Sequence, residues 1–193
     1  MYKNKKKVIP DMLVLSGASA SGKTEVARVI ARKYGMKRVI TVTTRDMRVG
    51  EQDGIDYFFV NKDQFKDLIA NDKLVEFTIY NTNYYGSKKD QISDDRILVI
   101  EAEGLKKYIS LGNPSIITFA LLSDDAIRKE RMINRGDKMD DIERRLINDK
   151  TVFSKESLKG INYFIHNVDK TLEEVADEIY EKYLFELNKN KKG

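Results

Sequence analysis

One stretch restricts this chain more than any other. Gly17, Ala18, Ser19, Ala20, Ser21, Gly22, Lys23 and Thr24 follow a short apolar run, Met12 to Leu15, and lead into helical periodicity from Lys23 to Tyr34. The spacing is G-x-x-x-x-G-K-[ST], placed between a strand and a helix. There the glycines let the backbone turn its N–H groups inward, towards phosphate oxygens. The helix starting near Gly22 adds the positive end of its dipole. Lys23 supplies a full charge to the β- and γ-phosphates, and the Thr24 hydroxyl suits Mg2+. A glycine-rich turn arising by chance would not need the flanking strand and helix. Residues 17–24 are therefore expected to bind a nucleoside triphosphate.

The rest of the chain alternates strand and helix patterns, which predicts an α/β fold with a mainly parallel sheet. Val39 to Val42 reads as a second strand and Tyr57 to Val60 as a third. Asn61 is placed to cap a short helix with Phe65, Leu68 and Ile69 on one face. Leu74 to Tyr85 alternates like a hairpin. Ile97 to Ile100 and Ile116 to Leu122 read as buried strands, with a helix from Gly104 to Leu111 between them. Ser123 is placed to cap a helix from Asp125 to Asn134. Asp124 to Lys155 is densely charged, and such helices are expected to be mostly solvent-exposed. Asn162 to His166 is the last strand, and Thr171 and Glu174 have capping-box spacing for the final helix. No internal repeat or interdomain linker interrupts the pattern.

The charge distribution argues against one class of partner. The net charge of +4 comes from the ends: four lysines lie in Met1 to Lys7 and three in Asn188 to Gly193. Without those seven lysines, 28 basic residues face 31 acidic ones. Solvated basic tails explain this better than a specific nucleic-acid surface. No apolar stretch approaches the ~18 residues of a membrane span, and no signal-peptide core follows the basic N-terminus. There is no cysteine, so disulfides and thiolate metal sites are excluded and a cytoplasmic setting is expected. The sequence leaves a homodimer open.

Thr43, Thr44, Arg45, Asp46, Met47, Arg48, Val49, Gly50 and Glu51 form the next informative stretch, followed by Gly54, Asp56, Tyr57 and Phe59. Two arginines three apart, with a tyrosine nearby, can clamp a phosphate dianion. A solvated loop carrying surface arginines is the competing reading. The whole pattern resembles the guanylate kinase family, which reads T-T-R-x-x-R-x-G-E-x-x-G-x-D-Y-x-F. Every specified position from Thr43 to Phe59 matches, and the likeness continues through Glu76 and Asn83, Tyr84, Tyr85, Gly86, Ser87. It runs from about Met12 to Asp169.

The resemblance implies a P-loop kinase core with a central parallel sheet flanked by helices, a small β-rich subdomain for the nucleoside monophosphate, and a helical lid. It implies one domain over residues 8–190: core 8–40, 88–125 and 157–190, GMP-binding subdomain 41–87, and lid 126–156. Residues 1–7 and 188–193 remain as basic tails. The implied reaction is ATP-dependent phosphorylation of GMP, with ATP and Mg2+ as the donor pair. Arg45, Arg48, Tyr57 and Tyr85 match positions that hold the acceptor phosphate. Glu76 matches the carboxylate that reads guanine, with Thr41 and Ser87 as hydroxyls near the base. The family usually has serine where this chain has Thr41. Arg131, Arg135 and Arg145 match lid arginines, Arg135 and Arg145 stabilising the transferring phosphoryl group and Arg131 binding the donor nucleotide, and Asn167 matches an adenine-side asparagine. His166, the sole histidine, is expected to be structural.

One departure stands out. After the hairpin, the family strand usually ends with two acids separated by one position. Here the residues are Val99, Ile100 and Glu101, so only Glu101 remains to contact substrate or metal. Three other readings compete with an active GMP kinase. They are a phosphopeptide-binding module of the same fold, a kinase for another phosphorylated acceptor, and a nucleotide sensor with little turnover. Lys23 and Thr24 disfavour the first, and Glu76 with Asn83 to Ser87 disfavours the second.

Overall fold

The computed structural model describes residues 11–80 and 82–192. In chain order the elements are β1 (Met12–Gly17), α1 (Lys23–Tyr34), β2 (Lys37–Arg38), β3 (Val42–Thr43), β4 (Phe58–Phe59), α2 (Lys62–Ala70), β5 (Leu74–Tyr80) and β6 (Asn83–Lys88). A short 3-10 turn leads on to β7 (Arg96–Val99), α3 (Ala102–Ser110), β8 (Ile116–Leu122), α4 (Asp125–Asn134), α5 (Met139–Val152), β9 (Tyr163–His166) and α6 (Leu172–Lys192).

All six residues of β1 are buried. A strand covered on both faces has no reason to alternate, and β1 is the central strand of a five-stranded sheet ordered β2-β7-β1-β8-β9. Every pairing in that sheet is parallel. One face packs on α1 and α6 through Val26, Ile30, Val175, Ile179 and Tyr183. The other packs on α3 through Leu105 and Tyr108. A second, mixed sheet is ordered β4-β3-β6-β5, with its own cluster around Val42, Phe65 and Leu74. Among the described residues, no helix is long and apolar enough to cross a membrane.

Several expectations need correction. Val39 to Val42 is not one strand. Lys37–Arg38 joins the edge of the parallel sheet, and Val42–Thr43 belongs to the mixed sheet. Between them the Val39 N–H still bonds the Ile97 carbonyl, while the Thr41 carbonyl already accepts from Phe58. A continuous strand could not serve two sheets. Ser123 does not cap α4: Asp124 is the N-cap residue, and no side chain caps it. The Ser123 hydroxyl instead reaches the Asn167 carbonyl at 3.4 Å. The charged segment Asp124 to Lys155 is mostly exposed, as expected, but a few of its side chains are not. Met132 and Ile142 are fully buried, and so, nearly, are Arg128 and Asp149. The N-terminal basic tail lies outside the described residues. The C-terminal one is no tail as far as Lys192, because α6 continues through it. Leu187 is buried, and the Asn190 amide donates to the Pro114 carbonyl at 2.7 Å.

The local signals elsewhere hold. Asn61 and Gln64 form a capping box on α2. Thr171 and Glu174 exchange the same reciprocal bonds at the start of α6. Gly35 ends α1 in the left-handed region, at φ 73°.

The two motif glycines serve different needs. Gly22 has φ 95°, a conformation that favours glycine. Gly17 is needed for close packing, since a Cβ there would lie 2.6 Å from the Leu121 carbonyl and 2.7 Å from Ser21 Oγ. Gly17→Ala is therefore expected to destabilise the fold by about 1–3 kcal/mol, the usual cost of overpacking. Urea unfolding of the variant checks this; an unchanged midpoint would mean that β1 and β8 are less tightly joined than described.

Candidate functional site

Open parallel sheets bind ligands beyond the carboxyl ends of their strands. A cavity of about 620 Å³ lies there. Its floor is the loop leaving β1, from Ser19 to Thr24. Its walls are the loop after β3, carrying Arg45 and Arg48, together with Tyr57, Tyr85, Glu101 and the arginines of α4 and α5. Seven basic side chains line it against four acidic ones. That imbalance suits a polyanion.

The structure brings together most of the residues singled out from sequence. Ser19, Ala20, Ser21, Gly22, Lys23, Thr24, Arg45, Arg48, Tyr57, Tyr85, Glu101, Arg131, Arg135 and Arg145 all line this cavity. Gly17 and Ala18 are buried beneath the loop. The helix α1 begins at Gly22 without a side-chain cap, which leaves its first N–H groups available to an anion. Among the described residues, Lys23 and Arg48 form no salt bridge.

Arg45 is held on three sides. Its guanidinium bonds both Glu51 oxygens, at 2.8 and 2.9 Å, and stands over the rings of Tyr57 and Phe59. Burial lowers its pKa, but Glu51 more than compensates, leaving the net shift upward. Arg48 shifts the other way, through burial first and then the positive charges of Arg45 and Arg135. An anion entering between these arginines would relieve that repulsion. Burial lifts the Tyr57 hydroxyl well above its ordinary range, so it remains a donor.

Arg135 and Arg145 meet on one carboxylate. Arg135 donates to both Asp137 oxygens at 2.9 and 2.5 Å, and Arg145 to one of them at 2.7 Å. Burial alone would raise the Asp137 pKa, yet the two guanidiniums bring it below the usual carboxylate value. Arg131 and Asn167 hold backbone. Arg131 donates to the Ala20 carbonyl at 3.1 Å, and Asn167 to that of Ser21 at 3.3 Å from a buried position behind the loop.

A small second pocket adjoins the cavity, sharing Tyr57, Tyr85 and Glu101 and adding Thr41, Glu76, Thr78 and Val99. A bulge in β5 between Leu74 and Glu76 sets Glu76 opposite Ser87 of β6. Bulges re-aim side chains in this way. The Ser87 hydroxyl donates to Glu76 Oε1 at 2.6 Å. Burial raises the Glu76 pKa, and Ser87 opposes the rise. On its other side Glu76 rests against Gly104 of α3, where a Cβ would sit 3.0 Å from Oε2. Val99 lines this pocket and packs on the core beside Leu15; it does not line the main cavity.

Sequence reasoning missed several participants. Glu51 and Asp56 lie inside the quoted motif but were assigned no contact. Asp56 pairs with Arg28 of α1 and accepts from the Gln52 N–H, tying the two sheets' loops together. Asp137 follows the Arg135-Gly136 pair directly, and that adjacency was a usable signal. Tyr80, Arg128 and Asp149 had no local pattern. All three converge on Ser19.

The donor set fits Mg2+ in its chemistry. The Thr24 hydroxyl and the Glu101 carboxylate line the same cavity, and both are the hard oxygen ligands that this ion takes.

Comparison with known proteins agrees with the geometry. The family model described as guanylate kinase matches residues 10–182. A guanylate kinase of Prochlorococcus marinus is 30% identical over 181 residues, covering 90% of this chain and 96% of its own. One from Clostridioides difficile is 29% identical, covering 82% and 80%. The crystal structure of guanylate kinase from Anaplasma phagocytophilum superposes with a TM-score of 0.69 at 24% identity, over 92% of this chain and 86% of that one, and shares the fold. A family model reaching nearly from end to end, with a relative aligned over almost all of its own length, leads to one conclusion: this chain belongs to the guanylate kinase family.

Proposed function

We propose that this protein transfers the terminal phosphate of ATP to GMP, and less efficiently to dGMP, releasing ADP and GDP. The observation that carries the reading is the junction of two sites. The cationic cavity over residues 19–24 opens beside a pocket whose buried carboxylate, Glu76, is aimed by Ser87. Guanine offers N1–H and its 2-amino group as adjacent donors, and one carboxylate accepts both. Adenine has neither and would give Glu76 no donor from the base, a strong basis for discrimination.

In this reading, Arg45, Arg48, Tyr57 and Tyr85 hold the acceptor phosphate, and Glu51 pre-orients Arg45. The acceptor oxygen is already ionised at neutral pH, so no general base is required. Lys23 and the loop N–H groups take the donor phosphates. Arg135 and Arg145 approach the transferring group, where negative charge spreads over the equatorial oxygens. Asp137 keeps the two guanidiniums side by side, so they act as one unit. Thr24 and Glu101 are the residues that would hold Mg2+, which when bound neutralises charge on the donor phosphates.

A coupled assay of ADP formation tests the proposal. GMP should be turned over with Mg2+ present, dGMP more slowly, and AMP hardly at all. Equal turnover of AMP and GMP would refute the guanine reading.

Two variants test the roles. Lys23→Ala should keep the fold and lose most turnover, by about 10²–10³-fold if its charge stabilises the transferring phosphate. Unchanged rates in a folded variant would remove Lys23 from the chemistry. Glu76→Gln should weaken GMP by about 1–3 kcal/mol, the cost of a mismatched buried polar group, and leave ATP nearly unaffected. Equal losses for both nucleotides, measured by calorimetry, would make Glu76 a structural residue.

A further inference from the structure

Three consecutive carbonyls of the loop after β1 are each taken by a side chain from outside it. Arg128 Nε donates to Ser19 O at 2.8 Å, Arg131 to Ala20 O at 3.1 Å, and Asn167 to Ser21 O at 3.3 Å. Arg128 and Arg131 are three apart on α4, so they share a face. The Ser19 N–H is also taken, by Asp149 Oδ2 of α5 at 2.8 Å. Arg128 pairs with that same oxygen and with Asp125 at 2.9 Å. Arg128 and Asp149 are only 3% and 4% exposed.

A buried ion pair is weak support for stability, because desolvation offsets most of its attraction. Its geometric effect is definite. By holding both backbone groups of Ser19 it sets the peptide planes on either side of that residue. The next residue, Ala20, has φ 60°, a left-handed conformation that a residue with a Cβ resists. With these carbonyls drawn towards α4 and Asn167, and the Ser21 N–H bonded to the Ala18 carbonyl at 3.0 Å, the N–H groups at the start of α1 are left for the cavity. Relaxation of Ala20 towards negative φ would swing its peptide plane and spoil that arrangement.

We propose that Arg128 and Asp149 are positioning residues for the donor triphosphate: their buried pair holds Ser19, and through it Ala20, in the shape that receives the phosphates. The proposal rests on reading residues 17–24 as the ATP loop. It predicts a defect confined to ATP. The double variant Arg128→Met/Asp149→Asn removes both charges without leaving one buried alone and keeps an acceptor near the Ser19 N–H. Its dissociation constant for ATP should rise about tenfold or more, while that for GMP stays within about twofold. Adding Ala20→Gly, which accepts positive φ freely, should recover several-fold of the lost ATP affinity.

Calorimetric binding of each nucleotide, with melting temperature measured in parallel, reads all of this without turnover. Equal losses for ATP and GMP, unchanged ATP affinity, or no recovery on adding Ala20→Gly would each overturn the proposal. If the double variant does not fold, Arg128→Lys carries the same expectations, since lysine can pair with Asp149 but lacks the Nε that holds Ser19. A wild-type protein that binds ATP yet transfers nothing to GMP would sink the proposed function and leave this inference standing.

Discussion

A loop that offers its N–H groups to an anion must turn its carbonyls elsewhere, and buried carbonyls need donors. That requirement organises this molecule. Arg128, Arg131 and Asn167 supply the donors. They come from α4 and from the residue after β9, so the loop after β1 is finished by segments more than 100 residues downstream of it. The parallel sheet makes this possible. With β8 beside β1 and β9 beyond it, the loops leaving all three strands gather at one end. The close approach at Gly17 keeps the loop seated against β8.

The cavity's positive charge is managed by internal carboxylates. Glu51 engages Arg45, Asp137 engages Arg135 and Arg145, and Asp56 engages Arg28. Each pairing aims a guanidinium that would otherwise spread across many rotamers, and fixing a long side chain beforehand lowers the entropy lost on binding. Among the described residues, Lys23, Arg48 and Arg131 of this cavity form no salt bridge.

Much of this was legible in the sequence because it is encoded locally. The motif of residues 17–24, the capping boxes at Asn61 and Thr171, and the apolar runs of β1 and β8 each announce themselves within a few residues. What escaped depends on distant partners. Arg128 and Asp149 look like two more charges on solvated helices until α4 and α5 fold against Ser19. Val39 to Val42 has the composition of one strand, and only the competing demands of two sheets divide it. Asn190 belongs to a basic end by composition, but α6 carries it to the turn at Pro114.

The contact between α1 and α6 also bears on the order of folding. The helix α1 buries Val26, Val29 and Ile30 in a cluster completed by Val175, Ile179, Tyr183 and Leu187. Tyr34 stacks on Tyr180 with ring centroids 3.7 Å apart, and Lys33 reaches Asp177, 144 residues later. Contacts of such separation close late, after the loop entropy between them has been lost. On the ribosome, the loop after β1 emerges early, but α1 behind it stays uncovered until the C-terminal helix has been made. Under the proposed function, nucleotide binding is thus expected only once the whole domain has closed.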